Sequence, residues 1–189
     1  MKKLILITGI MSFLLVMHVN LFAQTTTSNQ ELTMGIPEVL LINAVVASGS
    51  LGALTLELTT TVAGTAIAGG TGTSYAQVSS IVATAETRSI TAAVTGVPTG
   101  TALSVTTAIP ATGNQAGVLG AGTSGVALVN AAAATDIVTG IGSCYTGTTP
   151  GDGYSLAWTW DAGALGDYGS IVATAGATAT VVLTITNTP

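Results

Sequence analysis

Short runs in which apolar residues alternate with threonine or serine are the feature that most limits how this chain folds. Successive side chains of an extended strand point to opposite faces, so a two-residue period buries one face and leaves the other in solvent. The clearest run, Ala177–Thr186, has threonines on most of one face, and its other face carries Ala179, Val181, Leu183 and Ile185. The alternation therefore predicts half-buried β-strands.

Further runs extend this pattern along the chain. They are Leu54–Thr59, Ser89–Thr95, Leu103–Val105, Val126–Val129, Ile137–Ile141 and Tyr154–Trp160. No stretch combines a 3.6-residue apolar period with helix caps, and the low share of charged residues, 6%, also suits strands. Short strands separated by turn signals such as Gly96–Gly100 predict an all-β chain folded as an Ig-like, Greek-key antiparallel β-sandwich.

The first residues have the composition of a secretory signal peptide. Lys2 and Lys3 precede an apolar run, Leu4–Val19, and the segment closes on Leu-Phe-Ala at Ala23. The apolar run is shorter than the roughly 20 residues of a transmembrane helix, and no cysteine stands at the cleavage position for lipid attachment. We therefore expect residues 1–23 to be removed on export, and the mature protein to be extracellular or on the cell surface.

Removal of this segment takes away most of the basic side chains. The segment carries both lysines and His18, so Arg88 is the single basic residue left against eight carboxylates. Too few cations remain to neutralise a phosphate backbone, which excludes nucleic acid as a partner. Without histidine or lysine, serine and cysteine nucleophiles lack a base and zinc lacks its usual ligands. We predict no enzymatic activity, no cofactor and no metal site, with Cys144 either buried or in an intermolecular bridge.

Two groups of residues leave a binding function open. Asp152, Asp161 and Asp167 could offer oxygen ligands to calcium, although their spacing matches no EF-hand loop, and they could equally be turn residues that accept backbone hydrogen bonds. Alternate positions on one predicted strand, three of them aromatic, could form a sugar-stacking platform or pack in the core. Those positions are Tyr154, Leu156, Trp158 and Trp160.

The uncharged stretch Val39–Leu56 is long enough to raise the question of a membrane helix. Polar and glycine residues interrupt it at Asn43 and within Ser48–Gly52, which favours two strands joined by a turn. We therefore predict no transmembrane segment in the mature chain.

The sequence predicts two parts after the signal peptide. Residues 24–36 form an N-terminal arm in which a polar stretch leads into Leu32, Met34 and Ile36 at alternate positions, and residues 37–189 form the sandwich domain. This alternation is that of a strand that a chain can donate to a neighbouring sheet.

Several stretches resemble a group of uncharacterised exported proteins of Bacteroidota, and the similarity covers most of the mature chain. They are Met34–Val39, Thr87–Thr91, Ile137–Gly147 and Thr180–Thr186, and the Gly-Ile-Gly-Ser-Cys-Tyr-Thr-Gly run at 140–147 is the most specific part. The resemblance implies export to a bacterial envelope and no particular activity. A looser, compositional similarity to fimbrial subunits assembled by strand exchange implies an incomplete sandwich that a neighbour's N-terminal arm completes.

The preferred hypothesis is a non-enzymatic structural or adhesive cell-surface protein, such as a pilin-like fibre subunit that self-associates by β-strand complementation. The strand-exchange interface predicted for it consists of Leu32, Met34, Ile36, Ala179, Val181, Leu183 and Ile185. In a self-contained sandwich, Leu32–Ile36 would instead pair within its own domain. The alternative function is a monomeric extracellular carbohydrate- or calcium-binding module, with a surface glycan as its partner.

Overall fold

The computed structural model describes residues 29–47, 53–59, 62–162, 168–174 and 176–188. The predicted signal peptide and Asp167 lie outside these ranges. The chain divides into two compact units, Met1–Ile36 and Pro37–Pro189. In the first unit, residues 29–36 belong to no strand or helix. Within the described ranges, no helix has the length and apolar composition that crossing a membrane requires.

The second unit is built from β-strands, as the alternation predicts. In chain order they are β1 (Val39–Val46), β2 (Gly70–Ile81), β3 (Arg88–Thr95), β4 (Thr101–Ala108), β5 (Ala116–Gly117), β6 (Ala121–Gly122), β7 (Val126–Leu128), β8 (Thr135–Ile141), β9 (Cys144–Tyr145), β10 (Tyr154–Ala162) and β11 (Thr180–Asn187). A 3₁₀ turn at Tyr168–Ser170 precedes β11. The all-β prediction is confirmed, and a strand, β1, opens the stretch that raised the question of a membrane helix.

The strands form two sheets. The first has the order β5-β9-β2-β10-β4-β7, with β1 on the other edge of β2, and the second has the order β11-β3-β8-β6. Because β2 is 12 residues long, one of its edges pairs with both β10 and β9 while the other pairs with β1. Each strand pairing in the two sheets is antiparallel. The antiparallel two-layer sandwich is confirmed, and its Ig-like connectivity stays a prediction.

The core consists of inward side chains from both sheets. Each fully buried leucine, isoleucine or valine contributes about 1.5–3 kcal/mol relative to an exposed one, so the facing apolar surfaces hold the sheets together. The most deeply buried members are Ala76, Ile90, Ala92, Val94, Val105, Ile137, Val138, Ile141, Tyr154 and Leu156.

One edge of the sandwich is closed by backbone hydrogen bonds between the sheets. The amide of Thr107, on β4, donates to Thr123 O at 2.9 Å, and the amide of Thr123 donates to Ile137 O, on β8, at 3.0 Å. At the other edge β1 and β11 are neighbours, and among the described residues no backbone hydrogen bond joins them. The sandwich therefore has one closed edge and one open edge.

The predicted strand Leu54–Thr59 is wrong, because only Thr59 pairs, in an isolated bridge with Ala68. Leu54 and Leu56 lie over Gly72, on the inner face of β2, instead of beside the edge of a strand. The alternation of half-buried and exposed residues is still present, since one side of the segment packs against the core.

Candidate functional site: a cleft at the open edge

The inward side chains of edge strand β1 are incompletely buried. The register places Ile42 and Ala44 opposite Val78 and Ala76 of β2, which are core residues, so all four share the inner face. Ile42 is nevertheless only half-buried, and Ala44 is exposed. Leu40, on the same face, is 42% exposed.

Edge strand β11 has the same property. Val181 and Leu183 lie opposite Val94 and Ala92 of β3, both of them core residues, yet Val181 and Leu183 are only half-buried. Ala179, just before β11, is exposed. Apolar inner-face positions of both edge strands thus line a gap between the sheets.

This gap is a cleft of about 560 Å³. That volume is many times the roughly 30 Å³ that a water molecule occupies in the liquid and lies within the range of ligand-binding pockets. No charged residue lines the cleft in the described part of the chain, and its walls include Ile42, Ala44, Leu54, Trp158, Val181 and Leu183.

Two tryptophans line the cleft, and the indole N–H groups of both are paired within the fold. Trp158 Nε1 donates to Ser74 Oγ at 2.8 Å, and Trp160 Nε1 donates to Thr101 Oγ1 at 2.9 Å. A buried indole without such an acceptor would lose the hydrogen bond that it makes to water. Because both N–H groups are satisfied within the fold, neither indole needs a hydrogen-bond partner in the cleft.

The structure favours the core interpretation of the aromatic face over the sugar-stacking platform. Tyr154 and Leu156 are 0% exposed, and Trp158 is 7% exposed. Trp160 is half-buried at the cleft wall. Sugar stacking requires an accessible row of rings, and this strand does not offer one.

The buried guanidinium of Arg88 joins the two edge strands at the end away from the cleft. Its Nη1 donates to Val39 O at the start of β1 and to Ser80 Oγ at 3.3 Å, while its Nε donates to Asn187 Oδ1, at the end of β11, at 3.0 Å. The Nη2 atom lies 3.9 Å from a carboxylate oxygen of Glu38. These contacts tie the two edge strands together at one end, and the cleft lies along the other part of β1 and β11.

The structure separates the residues of the predicted strand-exchange interface into three groups. Leu32, Met34 and Ile36, in the first unit, are 72%, 87% and 82% exposed. The cleft wall contains Ala179, Val181 and Leu183. Ile185 is 6% exposed in the core, opposite Ile90, and therefore does not line the cleft.

In the structure, Asp152 is a turn residue whose carboxylate is held by hydrogen bonds. Its carboxylate accepts hydrogen bonds from Asn114 Nδ2 at 3.0 Å and from the Thr149 amide at 2.9 Å. The bond from Asn114 is the main reason that the pKa of Asp152 lies below its usual value. Asp161 lies on β10, and among the described residues no three potential metal ligands come together.

Cys144 is a free thiol on β9, and it is 8% exposed. Burial raises the pKa of this thiol, which makes the reactive thiolate scarce at neutral pH. The neighbouring Tyr154 hydroxyl donates to Leu119 O at 2.7 Å, and burial raises the pKa of Tyr154 as well. This environment supports the buried, inert interpretation of Cys144 over an intermolecular bridge.

Sequence reasoning identified one wall of the cleft and missed the other. The alternation in β11 indicated Val181 and Leu183, whereas β1 reads Val-Leu-Leu-Ile-Asn-Ala-Val-Val, with apolar residues on both faces. Nothing in that run shows which face points inward. Comparison of the chain with protein-family models, curated proteins and solved structures finds no match.

Proposed function

We propose that this protein is a non-enzymatic structural or adhesive protein of the cell surface that self-associates by adding a strand to the cleft between β1 and β11. The observation that carries the proposal is the open edge, where two edge strands present apolar inner-face side chains to a cleft between the sheets. An edge strand also has unpaired backbone N–H and C=O groups that can hydrogen-bond to an added strand.

The arm of a second copy is the occupant that fits this cleft. Leu32, Met34 and Ile36 recur at every second position, so an extended arm would present all three on one face. All three are highly exposed, and the segment Leu32–Ile36 is uncharged, as the cleft lining is. Apolar surface of this kind gains free energy by leaving water.

Two arguments favour an arm from another copy over the chain's own arm. The shortest hairpin with β1 would turn at Pro37 and Glu38, but two-residue hairpin turns need a positive φ at the first position, which the proline ring forbids. That hairpin would also pair Met34 with Leu41 and Thr33 with Ile42. Since Ile42 is on the inner face, the apolar side of the arm would point outward.

The charge distribution supports a role without catalysis. Arg88, the single base of the predicted mature chain, is 1% exposed and is engaged by structural hydrogen bonds. Contact between surfaces is a function that such a chain can perform without free basic side chains. The alternative, a carbohydrate- or calcium-binding module, has no supporting arrangement among the described residues.

Complementation between two defective variants tests the proposal. Chains lacking residues 24–36 can accept an arm but cannot donate one, and a chain with Ala179→Asp and Leu183→Asp can donate but has a charged cleft. We expect each variant alone to be monomeric and their equimolar mixture to form heterodimers, as measured by light scattering after size exclusion. Unmodified mature protein should form larger assemblies visible by electron microscopy.

The matched control changes the other face of the arm, with Glu31→Gln and Thr33→Ser. This variant should assemble as the unmodified chain does, because neither residue is on the apolar face. Monomeric behaviour of the unmodified chain at high concentration, with no fibres on cells, would refute the proposal. So would continued assembly of the chain that lacks residues 24–36.

A further inference from the structure

We infer, on the basis of the proposed function, that residues 53–58 are a placeholder that occupies part of the cleft in the free chain and leaves it when the arm of a second copy enters. This stretch, Ala53–Leu58, is called the leucine segment below. It belongs to no strand, although its sequence alternates as a strand does.

The leucine segment lies in the space between the two sheets. A β-carbon added to Gly72 would stand 2.8 Å from Leu56 Cδ2 and 2.9 Å from Leu54 Cδ2. A β-carbon added to Gly70 would stand 2.5 Å from the carbonyl oxygen of Glu57. Gly70 and Gly72 lie on the inner face of β2, and because they have no side chain, the leucine segment can pack against this face.

The attachment of the leucine segment depends on side-chain packing. Among the described residues, none makes a backbone hydrogen bond to residues 53–58. The first backbone pair follows the segment, where Thr59 and Ala68 exchange hydrogen bonds of 3.1 and 2.7 Å. Leu54 and Leu56 are only half-buried and line the cleft. A segment with few buried contacts and no ladder hydrogen bonds opens at low free-energy cost.

The leucine segment and the arm carry the same side-chain pattern. The leucine segment contains Leu-Thr-Leu-Glu-Leu at 54–58, and the arm contains Leu-Thr-Met-Gly-Ile at 32–36. Each offers three large apolar side chains at alternate positions, with threonine at the second position. Two extended segments with this spacing compete for the same apolar space, because they present equivalent side chains at equal intervals.

The exchange has a driving force in backbone pairing. An arm that enters the cleft beside β1 or β11 gains ladder hydrogen bonds, which the leucine segment does not make to any described residue. The placeholder meanwhile keeps the apolar inner faces partly covered in the free chain, which limits unspecific association.

The first experiment weakens the placeholder with Leu54→Ser and Leu56→Ser in the mature chain. We expect this variant to assemble at least about tenfold faster than the unmodified chain, as measured by light scattering. A tenfold change corresponds to a reduction of about 1.4 kcal/mol in the free-energy cost of displacing the leucine segment. The matched control is Leu41→Ser with Val182→Ser, two exposed apolar residues outside the cleft lining. Slower or unchanged assembly of a folded Leu54→Ser, Leu56→Ser chain would overturn the inference.

The second experiment fixes the placeholder reversibly with Leu54→Cys and Gly72→Cys. A disulfide between them requires the leucine segment to lie over β2, and the native Cys144 is buried away from solvent. We expect the oxidised protein to assemble at least about tenfold more slowly than the same protein after reduction. Equal rates in the two redox states, or failure of the disulfide to form, would contradict the placeholder role.

The two proposals fail in different ways. Absence of assembly in every variant rejects the proposed function and the placeholder with it. Assembly that depends on the arm but not on Leu54, Leu56 or the engineered disulfide rejects the placeholder alone.

Discussion

Replacing Arg88 with methionine tests how the two edge strands are held together. Methionine keeps much of the apolar stem and removes the guanidinium, which donates to Val39 O, Ser80 Oγ and Asn187 Oδ1. Ser80 is 1% exposed, so its hydroxyl loses a partner that water cannot easily replace. Asn187 is exposed and can turn to solvent.

The expected loss of stability in Arg88→Met follows from these differences in burial. An unpaired buried polar group costs about 1–3 kcal/mol, and this cost applies fully to Ser80 and partly to Val39. Removal of one partner of a buried ion pair costs about 3–5 kcal/mol when the other partner is left buried, but Glu38 is 55% exposed. We therefore expect Arg88→Met to lower the free energy of unfolding by about 2–3 kcal/mol.

Glu38→Gln is the matched control for the charge. The two groups are 3.9 Å apart and the carboxylate is largely solvated, so its loss should cost less than about 0.5 kcal/mol. Arg88→Lys keeps the positive charge without the planar set of donors and should give an intermediate effect.

Urea unfolding followed by tryptophan fluorescence measures these changes. With an m-value of about 2 kcal/mol/M, Arg88→Met should lower the midpoint by about 1–1.5 M while leaving m unchanged. A Glu38→Gln variant as unstable as Arg88→Met would refute the reasoning, because the ion pair and not the hydrogen bonds would then dominate.

Three further predictions concern Asp152, Tyr154 and Cys144, which lie outside the cleft lining. The pKa of Asp152 is lowered from its ordinary value of 3.8, so the ionised carboxylate stabilises the fold at pH values above 3.8. This stabilisation is lost as the pH falls through the folded-state pKa. Asp152→Asn should therefore flatten the acid limb of a plot of Tm against pH. Tyr154→Phe should lower the free energy of unfolding by about 1–2 kcal/mol in urea, because Leu119 O loses its donor at 2.7 Å. Cys144 should react with an aromatic disulfide reagent only after unfolding, and a covalent dimer on non-reducing electrophoresis would contradict its burial.

The sequence predicts those strands whose two faces differ in polarity. In β11, threonines alternate with Val181 and Leu183, and in β10 the buried Tyr154 and Leu156 alternate with less buried neighbours. A two-residue period is a local property, so it can be read without knowing what the strand pairs with. The all-β class and most strand positions followed from that period.

Pairing partners could not be read in the same way, because they depend on distant parts of the chain. The segment Leu54–Thr59 has the alternation of a strand but lies on the face of β2, and strand formation requires an edge to pair with. Strand β1 is apolar on both faces, so its contribution to the cleft depended on its register with β2. The burial of Arg88 had no local signal at all, since arginine is usually exposed.

The hydrogen bonds of Arg88 to both Val39 and Asn187 give the proposed assembly a direction. They join β1 and β11 at the end where β1 begins, and the cleft lies along the other part of both strands. In the proposed assembly, an added strand would therefore enter from the end where β1 finishes and β11 begins. Donor and acceptor surfaces are different parts of the chain, and contacts of this head-to-tail kind produce rings when the rotation closes and open filaments when it does not. A filament built this way would have two unlike tips, one with a vacant gap and one with an unused arm.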